Sequence, residues 1–473
     1  MKLVVINNSK KILAEKGALL IKVLQRNNIP ITALCGGSGR YGRCRVKIEG
    51  QVNPPDEVEK ILIPQRFLKQ GFRLACRYRV EKNTMIKMCL KKIHRKESKS
   101  DDGFALDLGT TLIKGARVDI GSGESIKQIK VFNLQNSFGG DVLSRVGAAI
   151  KGNYKRLRNL MLSSIIDVKE GLGIKNPLLT VVVGNPVMLS FYLNKSVVGF
   201  GGYPFRAELK GLIIKQHPMQ IILPIIGGFV GSDTVAGIIA GGLYNKKKIF
   251  LYIDLGTNGE VALIKNGQII VTSTAAGPAF EGVGFIWGSP AVDGAIEHIT
   301  FKNRFRIKTI NNKKPIGICA SGMIDLLVTL LNLHWLTPDG RLLKRPQFGG
   351  ITIQQADIRR LQLATGAIHT GIKILMRRAR VKPNEIDATV ITGEFGSHLT
   401  PSSLFEIGLL PRGIKKVYFK TDLPLKGAIL TIKDSRTIEQ ARRLCANSEH
   451  VELALEPDFQ KIFVQSMKFS QWN

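Results

Sequence analysis

The sequence predicts two modules: a small α+β domain, and after it a larger α/β domain made of two related lobes. Three observations predict this class. Short strand-like runs come first, a charged stretch without apolar periodicity follows at 91–102, and a strand–turn–strand arrangement then occurs twice. With 473 residues and 44% hydrophobic content, the chain can bury several cores. We expect domains at 1–92 and 103–473, a linker at 93–102, and lobes at about 103–248 and 249–473.

The first module is predicted to be small because its apolar runs are short. The runs LVVI, ITAL, RCRVKIEG and MIKMCL have the length and composition of strands, and turn residues separate them. Residues 17–27 (GALLIKVLQRN) carry apolar side chains at helical spacing. One helix among several short strands predicts an α+β domain.

The second module is predicted to be layered. A strand, a glycine turn and a return strand occur twice, and helical patterns alternate with apolar strands further along. The paired arrangement predicts two related lobes, and the alternation predicts helices packed on mixed sheets. Single strands are expected at 104–107, 112–118, 179–183 and 388–391, and a strand, turn and return strand at 250–264. Helices are expected at 322–333 and 358–378.

One apolar segment needs a membrane check. Residues 221–243 are long enough to cross a bilayer and contain one charged residue, Asp233. Pro224 and the paired glycines favour a buried strand, turn and helix instead, because an unpaired carboxylate at the centre of a bilayer is costly. We expect no membrane span. The six cysteines are too sparse for a disulfide framework, and the first residues lack a signal-peptide apolar region, so we expect a reducing cytoplasm.

The formal net charge of +33 is unusual for a chain of this composition. Residues 1–100 carry 23 Lys and Arg against 7 Asp and Glu, so the positive charge is densest there. Such a surface steers an acidic protein partner or attracts nucleic acid non-specifically, although a merely basic, soluble surface is an equal alternative. Because no nucleic-acid motif is present, we expect no sequence-specific nucleic-acid recognition.

Two acidic-glycine turns carry the chemistry of the second module. The first turn, at 107–111, reads Asp-Leu-Gly-Thr-Thr, and the second turn, at 254–260, reads Asp-Leu-Gly-Thr-Asn-Gly-Glu. Glycine lets the backbone approach a phosphate, neighbouring N–H groups and hydroxyls donate to its oxygens, and an Asp at a strand end can hold Mg²⁺. A pair of such turns predicts a polyphosphate site.

With Gly-Glu-Phe-Gly at 393–396, the two turns resemble the phosphate and adenosine motifs of the superfamily of actin, sugar kinases, acetate kinase and heat-shock chaperone ATPases. This resemblance implies an actin-like ATPase domain that binds ATP and Mg²⁺, with Asp107 and Asp254 as catalytic carboxylates facing the metal. Ligand-free hairpin turns are the alternative, because turns favour Asp and Gly in general. Lys114 is implied to lie over the phosphates unless it is merely solvated. The other implied nucleotide-binding residues are Gly109, Thr110, Thr111, Gly256, Thr257, Asn258, Gly259, Gly277, Gly393 and Gly396.

Further segments resemble one family, the reductive activators of corrinoid proteins, across residues 103–473. After the Gly-Asn-Pro-Val-Met run at 184–188, this chain has Leu189 and Ser190 where many relatives are expected to have a histidine, so any role of that histidine is lost. The matching segments are 228–234 (GFVGSDT), 275–282 (AAGPAFEG), 317–322 (GICASG), 408–411 (GLLP) and 451–463.

The first module also resembles this family. Residues 35–44 (CGGSGRYGRC) and the later Leu-Ala-Cys at 74–76 are similar to its ferredoxin domain, which implies a β-grasp fold with a 2Fe–2S cluster. Cys35, Cys44 and Cys76 are the remaining thiolate ligands, and Tyr41 stands at the fourth ligand position. A phenolate is harder than a thiolate, so a complete cluster and a lost cluster both stay open. Cys89 is either a substitute ligand or a buried strand cysteine.

The resemblance implies ATP-dependent transfer of one electron from the iron–sulfur centre to Co(II) cobalamin on a corrinoid protein, with an electron donor that the sequence does not identify. A second hypothesis is a clusterless, ATP-binding regulatory or docking protein that uses its basic first module to bind an acidic protein. A sugar- or acyl-type kinase ranks third, because the sequence offers no identifiable carboxylate base and substrate pocket for it.

Overall fold

The computed structural model describes most of the chain. The expected cluster residues Cys35, Tyr41 and Cys89, most of the expected linker, and Gly396 lie outside the described residues. The described residues are 1–7, 10–27, 29, 31, 44–63, 65–87, 102–209, 211–216, 218–244, 247–282, 285–289, 291–393, 399–469 and 472.

The first module contains one five-stranded mixed sheet with the strand order β2-β1-β5-β3-β4. Strand β1 pairs antiparallel with β2 and parallel with β5, so the first and last strands lie side by side in the centre. The apolar side of α1 packs on this sheet through Leu20, Val23 and Leu24. The elements are β1 (Lys2–Ile6), β2 (Lys10–Ala14), α1 (Leu20–Arg26), β3 (Arg45–Glu49), α2 (Glu57–Leu62), α3 (Gln65–Lys69), β4 (Phe72–Leu74) and β5 (Thr84–Lys87).

The next part of the chain, lobe I, is built on a six-stranded sheet with the order β10-β11-β9-β6-β7-β8. Strands β6, β7 and β8 are antiparallel neighbours, whereas β9 runs parallel to β6 and β11 runs parallel to β9. The elements are β6 (Asp102–Leu108), β7 (Leu112–Asp119), β8 (Ser125–Phe132), α4 (Val142–Ala148), α5 (Tyr154–Leu172), β9 (Leu179–Gly184), α6 (Pro186–Leu193), β10 (Ile213–Gln216), β11 (Met219–Ile222) and α7 (Ser232–Gly241).

Lobe II repeats this arrangement. Its sheet has the order β21-β20-β12-β13-β14-β22, with β12, β13 and β14 antiparallel and β20 and β21 joining in parallel on the other side. The elements are β12 (Ile249–Leu255), β13 (Gly259–Lys265), β14 (Gln268–Thr274), β15 (Ala295–Lys302), β16 (Arg304–Thr309), β17 (Gly317–Ile318), α8 (Ala320–Asn332), β18 (Gln347–Phe348), β19 (Ile351–Thr352), α9 (Gln355–Ala379), β20 (Ala388–Thr392), α10 (Pro401–Glu406), β21 (Val417–Phe419), α11 (Leu423–Lys433), α12 (Arg436–Ala446), β22 (Ser448–His450) and α13 (Phe459–Ser466).

The two lobes share one core, formed around α7 and α11. Alternate residues of β6 and β12 face opposite sides of their sheets, so that Ala105 and Tyr252 point into this common core. Helix α11 contacts α7 and the lobe I strands β6 and β9. At the crossing, a Cβ added to Gly427 would lie 2.3 Å from the Ala236 carbonyl oxygen, so the two helix backbones touch. The lobes therefore meet across a pair of closely packed helices.

The apolar segment at 221–243 folds as predicted. It forms the end of β11, a turn and then α7, which ends at Gly242 in the left-handed conformation. Within the described residues, no helix is both long enough and apolar enough to cross a bilayer.

Candidate functional site

The structure brings the two acidic-glycine turns together. The first turn follows β6 and the second follows β12, and the hydroxyl oxygens of Thr111 and Thr257 lie 3.0 Å apart across the lobes. Asp107 and Asp254 occupy matching positions, each the residue before the last in its strand. A ligand between the lobes would therefore face both turns at once.

Polar side chains of lobe I hold the first turn in place through hydrogen bonds. The Asn185 side-chain amide donates to the Thr110 hydroxyl at 3.1 Å, while Asn185 Oδ1 accepts from the Met188 N–H and so caps α6. The fully buried Arg145 donates from Nη2 to the Thr110 carbonyl at 2.6 Å. Asn136 donates to the carbonyl of Thr111 at 3.1 Å. These bonds fix the two carbonyls and the Thr110 hydroxyl of the first turn.

Four carboxyl groups converge beside the turns: Asp107, Asp233, Asp254 and Glu260. Burial, followed by the negative charges of Asp107 and Asp254, raises the pKa of Asp233 to about 8. Burial, followed by the charge of Asp233, raises the pKa of Glu260 well above its ordinary value. A divalent cation would neutralise this concentration of negative charge, since hard cations prefer carboxylate oxygens.

Tyr252 lies under the same cluster. Its hydroxyl donates to Asp254 Oδ2 at 3.4 Å, and burial and the charge of Asp254 raise the tyrosine pKa well above 10.0. A Cβ on Gly237 would lie 2.1 Å from the Tyr252 hydroxyl, so glycine in α7 leaves the room that this side chain occupies. The tyrosine therefore connects α7 to the carboxylate of the second turn.

The sequence reasoning assigned no role to Asp233, which the structure places among these carboxylates. It lies in the first turn of α7, and its Oδ1 accepts from the Thr234 N–H at 2.8 Å. A Cβ on the preceding Gly231 would lie 2.2 Å from the Gly184 carbonyl oxygen, so the start of α7 touches the end of β9. The Gly-Ser-Asp-Thr run at 231–234 was the available signal, because a carboxyl group at a helix start beside the end of a parallel strand is typical of a binding site.

The remaining residues of the predicted nucleotide site occupy tight turns. The N–H of Gly256 donates to the Asn258 carbonyl at 3.0 Å, which closes the second turn. Gly393 has a φ of +114°, and a Cβ there would lie 2.3 Å from the Leu255 carbonyl oxygen, so the end of β20 comes against the end of β12. Cβ atoms on Gly109 and Gly259 would also collide with neighbouring atoms, whereas Gly277 has a left-handed φ of +69° in open space.

Lys114 lies on β7, opposite Asp107. Its Nζ donates to Asp422 Oδ1 at 2.7 Å, immediately before the first residue of α11. This ion pair joins the edge of the first turn to a helix that follows β21 of the lobe II sheet in the chain. The side chain therefore has an inter-lobe partner at the place where a phosphate contact was predicted.

In the first module, two predicted cluster ligands lie side by side. The buried Cys44 and Cys76 have sulfur atoms 3.3 Å apart. Two cysteine sulfurs this close can ligate one metal ion, as pairs of cysteines do at each iron of a 2Fe–2S centre. Among the described residues, no group of three or more His, Cys, Asp and Glu side chains is arranged to hold a metal ion, either at this cysteine pair or among the carboxyl groups beside the two turns.

Two family models match the second module. One, described as the RACo middle region, matches residues 102–246, and the other, described as the C-terminal domain of RACo, the ASKHA domain, matches residues 248–473. ASKHA denotes the actin-like ATPase fold, which agrees with the repeated sheet order of the two lobes.

Two curated relatives are similar to most of this chain, and one solved structure is similar to its whole length. The corrinoid activation enzyme RamQ of Eubacterium limosum is 31% identical over 78% of this chain and 70% of its own length. The [Co(II) methylated amine-specific corrinoid protein] reductase of Methanosarcina barkeri is 23% identical over 78% of this chain and 77% of its own length. A solved reductive activator for corrinoid, iron-sulfur protein superposes with a TM-score of 0.72 at 21% identity, covering 100% of this chain and 99% of that structure, and so supports the fold.

Proposed function

The chain belongs to the RACo family, and from this premise we propose that it reductively activates a corrinoid protein, passing one electron to Co(II) cobalamin at the expense of ATP. The observation that carries the nucleotide part of this proposal is the 3.0 Å contact between Thr111 and Thr257, which joins two phosphate-type turns from different lobes. The relatives named as a corrinoid activation enzyme and a Co(II) corrinoid protein reductase support the electron-transfer part.

The two turns are proposed to hold the triphosphate of ATP. Backbone N–H groups and hydroxyls of the turns would donate to phosphate oxygens, as glycine-rich turns do in other phosphate sites. Asp107 and Asp254 would hold Mg²⁺ or its water ligands, and the metal would supply positive charge to the phosphates. The residues proposed for the phosphates are Gly109, Thr110, Thr111, Gly256, Thr257 and Asn258, while Gly393 and Gly396 are proposed for the adenosine.

Asp233 is proposed to be the proton acceptor of this site. With its pKa raised to about 8, the side chain is protonated at neutral pH in the absence of nucleotide. A cation held by Asp107 and Asp254 would offset the two charges that help to raise this pKa, so Asp233 would then ionise. The ionised carboxylate could accept a proton from water during ATP hydrolysis.

The first module is proposed to be a β-grasp domain that carries the electron. The central parallel pair of β1 and β5 beside α1 and the adjacent sulfurs of Cys44 and Cys76 support this proposal. A plant-type 2Fe–2S centre has a reduction potential of about −400 mV, and the family's Co(II)/Co(I) couple has a lower potential. Electron transfer to Co(II) is therefore uphill and needs coupling to ATP. Two alternatives follow for the cluster: Tyr41 and Cys35 complete its ligand set, or the cluster is lost.

A clusterless docking protein that binds through its basic first module is the second candidate, and a basic edge of lobe II would add to such docking. Residues 300–316, which include strand β16 at the edge of its three-stranded sheet, contain six Lys and Arg and no acidic residue. Arg304, Arg306 and Lys308 are exposed on one side of β16, while Phe305 and Ile307 are more covered on the other. Such an edge suits an acidic protein surface, which the corrinoid partner or another protein would present.

The nucleotide proposal is tested by replacing each turn carboxylate. Asp107→Ala and Asp254→Ala should each weaken Mg-ATP binding or slow its turnover by more than about tenfold, because a charge-assisted metal contact is lost. Calorimetric titration and phosphate release measure the two quantities. Asp339→Ala, at an exposed site, is the matched control and should behave like the wild type. Unchanged affinity and turnover in both turn variants would remove the nucleotide assignment.

The cluster proposal has a separate test. Anaerobic reconstitution with iron and sulfide should give a 2Fe–2S visible and paramagnetic-resonance spectrum in the wild type that Cys76→Ser loses, because one thiolate of the adjacent pair is removed. Cys445→Ser is the control, since Cys445 lies in α12 and donates towards the Pro224 carbonyl instead. If the wild type binds no iron, the docking function remains and electron transfer is excluded.

A further inference from the structure

A short segment at 133–139 lies directly against the back of the first turn. The Asn133 N–H donates to the Thr111 carbonyl at 3.0 Å, and the Asn133 side chain donates to the Gly109 carbonyl at 3.0 Å. The Asn136 amide donates to the Thr111 carbonyl at 3.1 Å. Three bonds thus join this segment, which we call the relay segment, to carbonyls of the turn whose N–H groups are proposed to face phosphate.

Arg145 ties the relay segment and the turn into one unit. Its guanidinium donates to the Thr110 carbonyl on one side, and to Asn136 Oδ1 and the Gly139 carbonyl on the other. The side chain is fully buried, so these bonds are made in a medium of low dielectric constant, where they are strong and directional. A movement of the turn on binding phosphate would therefore carry the relay segment with it.

The relay segment also contacts the first module. Gln25, on α1, donates from its side-chain amide to the Ser137 carbonyl at 2.7 Å. At the other end of α1, the N–H of Leu20 donates to the Tyr78 carbonyl at 2.9 Å and the N–H of Ile21 donates to the Ala75 carbonyl at 2.8 Å. Cys76 lies between these two acceptors. Hydrogen bonds, together with the chain between them, therefore connect the first turn to the carbonyls of Ala75 and Tyr78, which flank the predicted cluster cysteine in the sequence.

The first module has a second contact, and this one is with lobe II. The guanidinium of Arg66 lies 5.8 Å from the centre of the Trp287 ring and 4.9 Å from that of Phe67. Because Gln25 contacts lobe I and Arg66 contacts lobe II, the first module spans both lobes. A change in the angle between the lobes cannot keep both contacts unless the first module also moves.

We propose that the relay segment transmits nucleotide occupancy from the first turn to the first module, and that Gln25 is the positioning residue at which the two modules are coupled. This inference rests on the proposed nucleotide site and adds the route by which that site acts on the electron-carrying module. Coupling between two binding or conformational equilibria is reciprocal and is typically 5- to 150-fold. We therefore expect a nucleotide effect on α1 and on the segment around Cys76 of at least about fivefold.

Hydrogen–deuterium exchange on the full chain tests the proposal, with a non-hydrolysable ATP analogue and Mg²⁺ as the probe. In the wild type, the analogue should slow exchange in the two turns and change exchange rates at 20–26 and 72–80 by about fivefold or more. In Gln25→Ala the turns should still respond, while the change at 20–26 and 72–80 falls below about twofold. Gln25→Glu keeps the size of the side chain but removes the donor, so it should match Gln25→Ala. Gln70→Ala, at an exposed glutamine of the same module, should respond as the wild type does.

The outcomes separate this proposal from the proposed function. If the analogue protects neither turn in the wild type, the nucleotide site is refuted and the coupling falls with it. If it protects both turns but leaves the first module unchanged, or if both Gln25 variants respond like the wild type, the coupling alone is overturned. A response that is lost in both Gln25 variants and kept in Gln70→Ala supports the route through Gln25.

Discussion

Replacing Asp233 with asparagine should stabilise the nucleotide-free protein and make its stability less dependent on pH. Asp233 is recessed among carboxylates, and its pKa is raised from 3.8 to about 8 by burial first and then by the charge of Asp107. The folded protein therefore holds a proton on this side chain that the unfolded chain releases above pH 3.8. The asparagine side chain of the variant carries no charge at any pH and has a similar size.

The direction in which stability changes with pH follows from proton linkage. Because the folded state binds the extra proton, the free energy of unfolding of the wild type falls as pH rises from 3.8 to about 8. Above about pH 8, the loss of stability caused by Asp233 no longer changes with pH. Each pH unit in this window changes the free energy by at most about 1.4 kcal/mol. At pH 7 the wild type would thus be less stable than Asp233→Asn by at most about 4 kcal/mol.

Urea unfolding of both proteins at several pH values between 5 and 8, with a chelator and without nucleotide, measures this difference. The advantage of Asp233→Asn should grow with pH, whereas phosphate release from Mg-ATP should fall, since the proposed proton acceptor is lost. A stability difference that stays constant over this range would show that Asp233 is already ionised in the folded protein. That result would refute the proposed role of its raised pKa.

Three other changes test particular contacts. Gly427→Ala should destabilise the protein by about 1–3 kcal/mol, because the added methyl would lie 2.3 Å from the Ala236 carbonyl oxygen. A variant that is more stable than the wild type in urea unfolding would contradict the close crossing of α7 and α11. Burial and then the charge of Lys373 lower the pKa of His369 from 6.5 to about 3, so the wild type loses stability as pH falls from 6.5 towards 3. His369→Phe should therefore lose about 2 kcal/mol less than the wild type between neutral pH and pH 5. An equal loss of unfolding free energy in both proteins, measured by urea unfolding, would contradict this. The double variant Arg304→Glu/Arg306→Glu should lower the rate of Co(I) formation on the corrinoid protein partner by about tenfold or more at low salt. An unchanged rate would show that the basic edge at β16 is not the docking surface.

Gly147→Ala is the matched control for the helix crossing. Gly147 lies inside α4 with no atom within 4 Å of an added Cβ, so alanine there should be neutral or stabilising by up to about 1 kcal/mol. Opposite signs at the two glycines would show that the backbone contact, rather than helix propensity, decides the result at Gly427.

The sequence allowed the local parts of the site to be predicted, since they depend on short-range chemistry. Asp107 and Asp254 lie at the ends of apolar strands, and the glycines after them permit tight turns. The strands at 104–107 and 112–118 and the strand–turn–strand at 250–264 were therefore predicted close to the observed bounds of β6, β7, β12 and β13. The helices at 322–333 and 358–378 were predicted for the same reason, and the structure has them at Ala320–Asn332 and Gln355–Ala379. Their apolar spacing is long and regular.

The long-range parts could not be predicted in this way. Arg145 is fully buried although arginine is mostly exposed in proteins, because its partners lie in the relay segment and in a turn 35 residues earlier. Lys114 was expected over a phosphate or in solvent, and its partner Asp422 is 308 residues away in the chain. Nothing in local periodicity reports such pairs, since they depend on how the lobes are placed.

The common core around α7 and α11 makes the two lobes inseparable as folding units. A chain cut near residue 248 would leave each half with an uncovered apolar sheet face, lined by Ala105, Val181 and Val183 in one half and by Tyr252 and Val271 in the other. Each fragment, expressed alone, should therefore associate or be degraded. A hybrid built from two relatives would have to exchange both helices together with the sheet they cover.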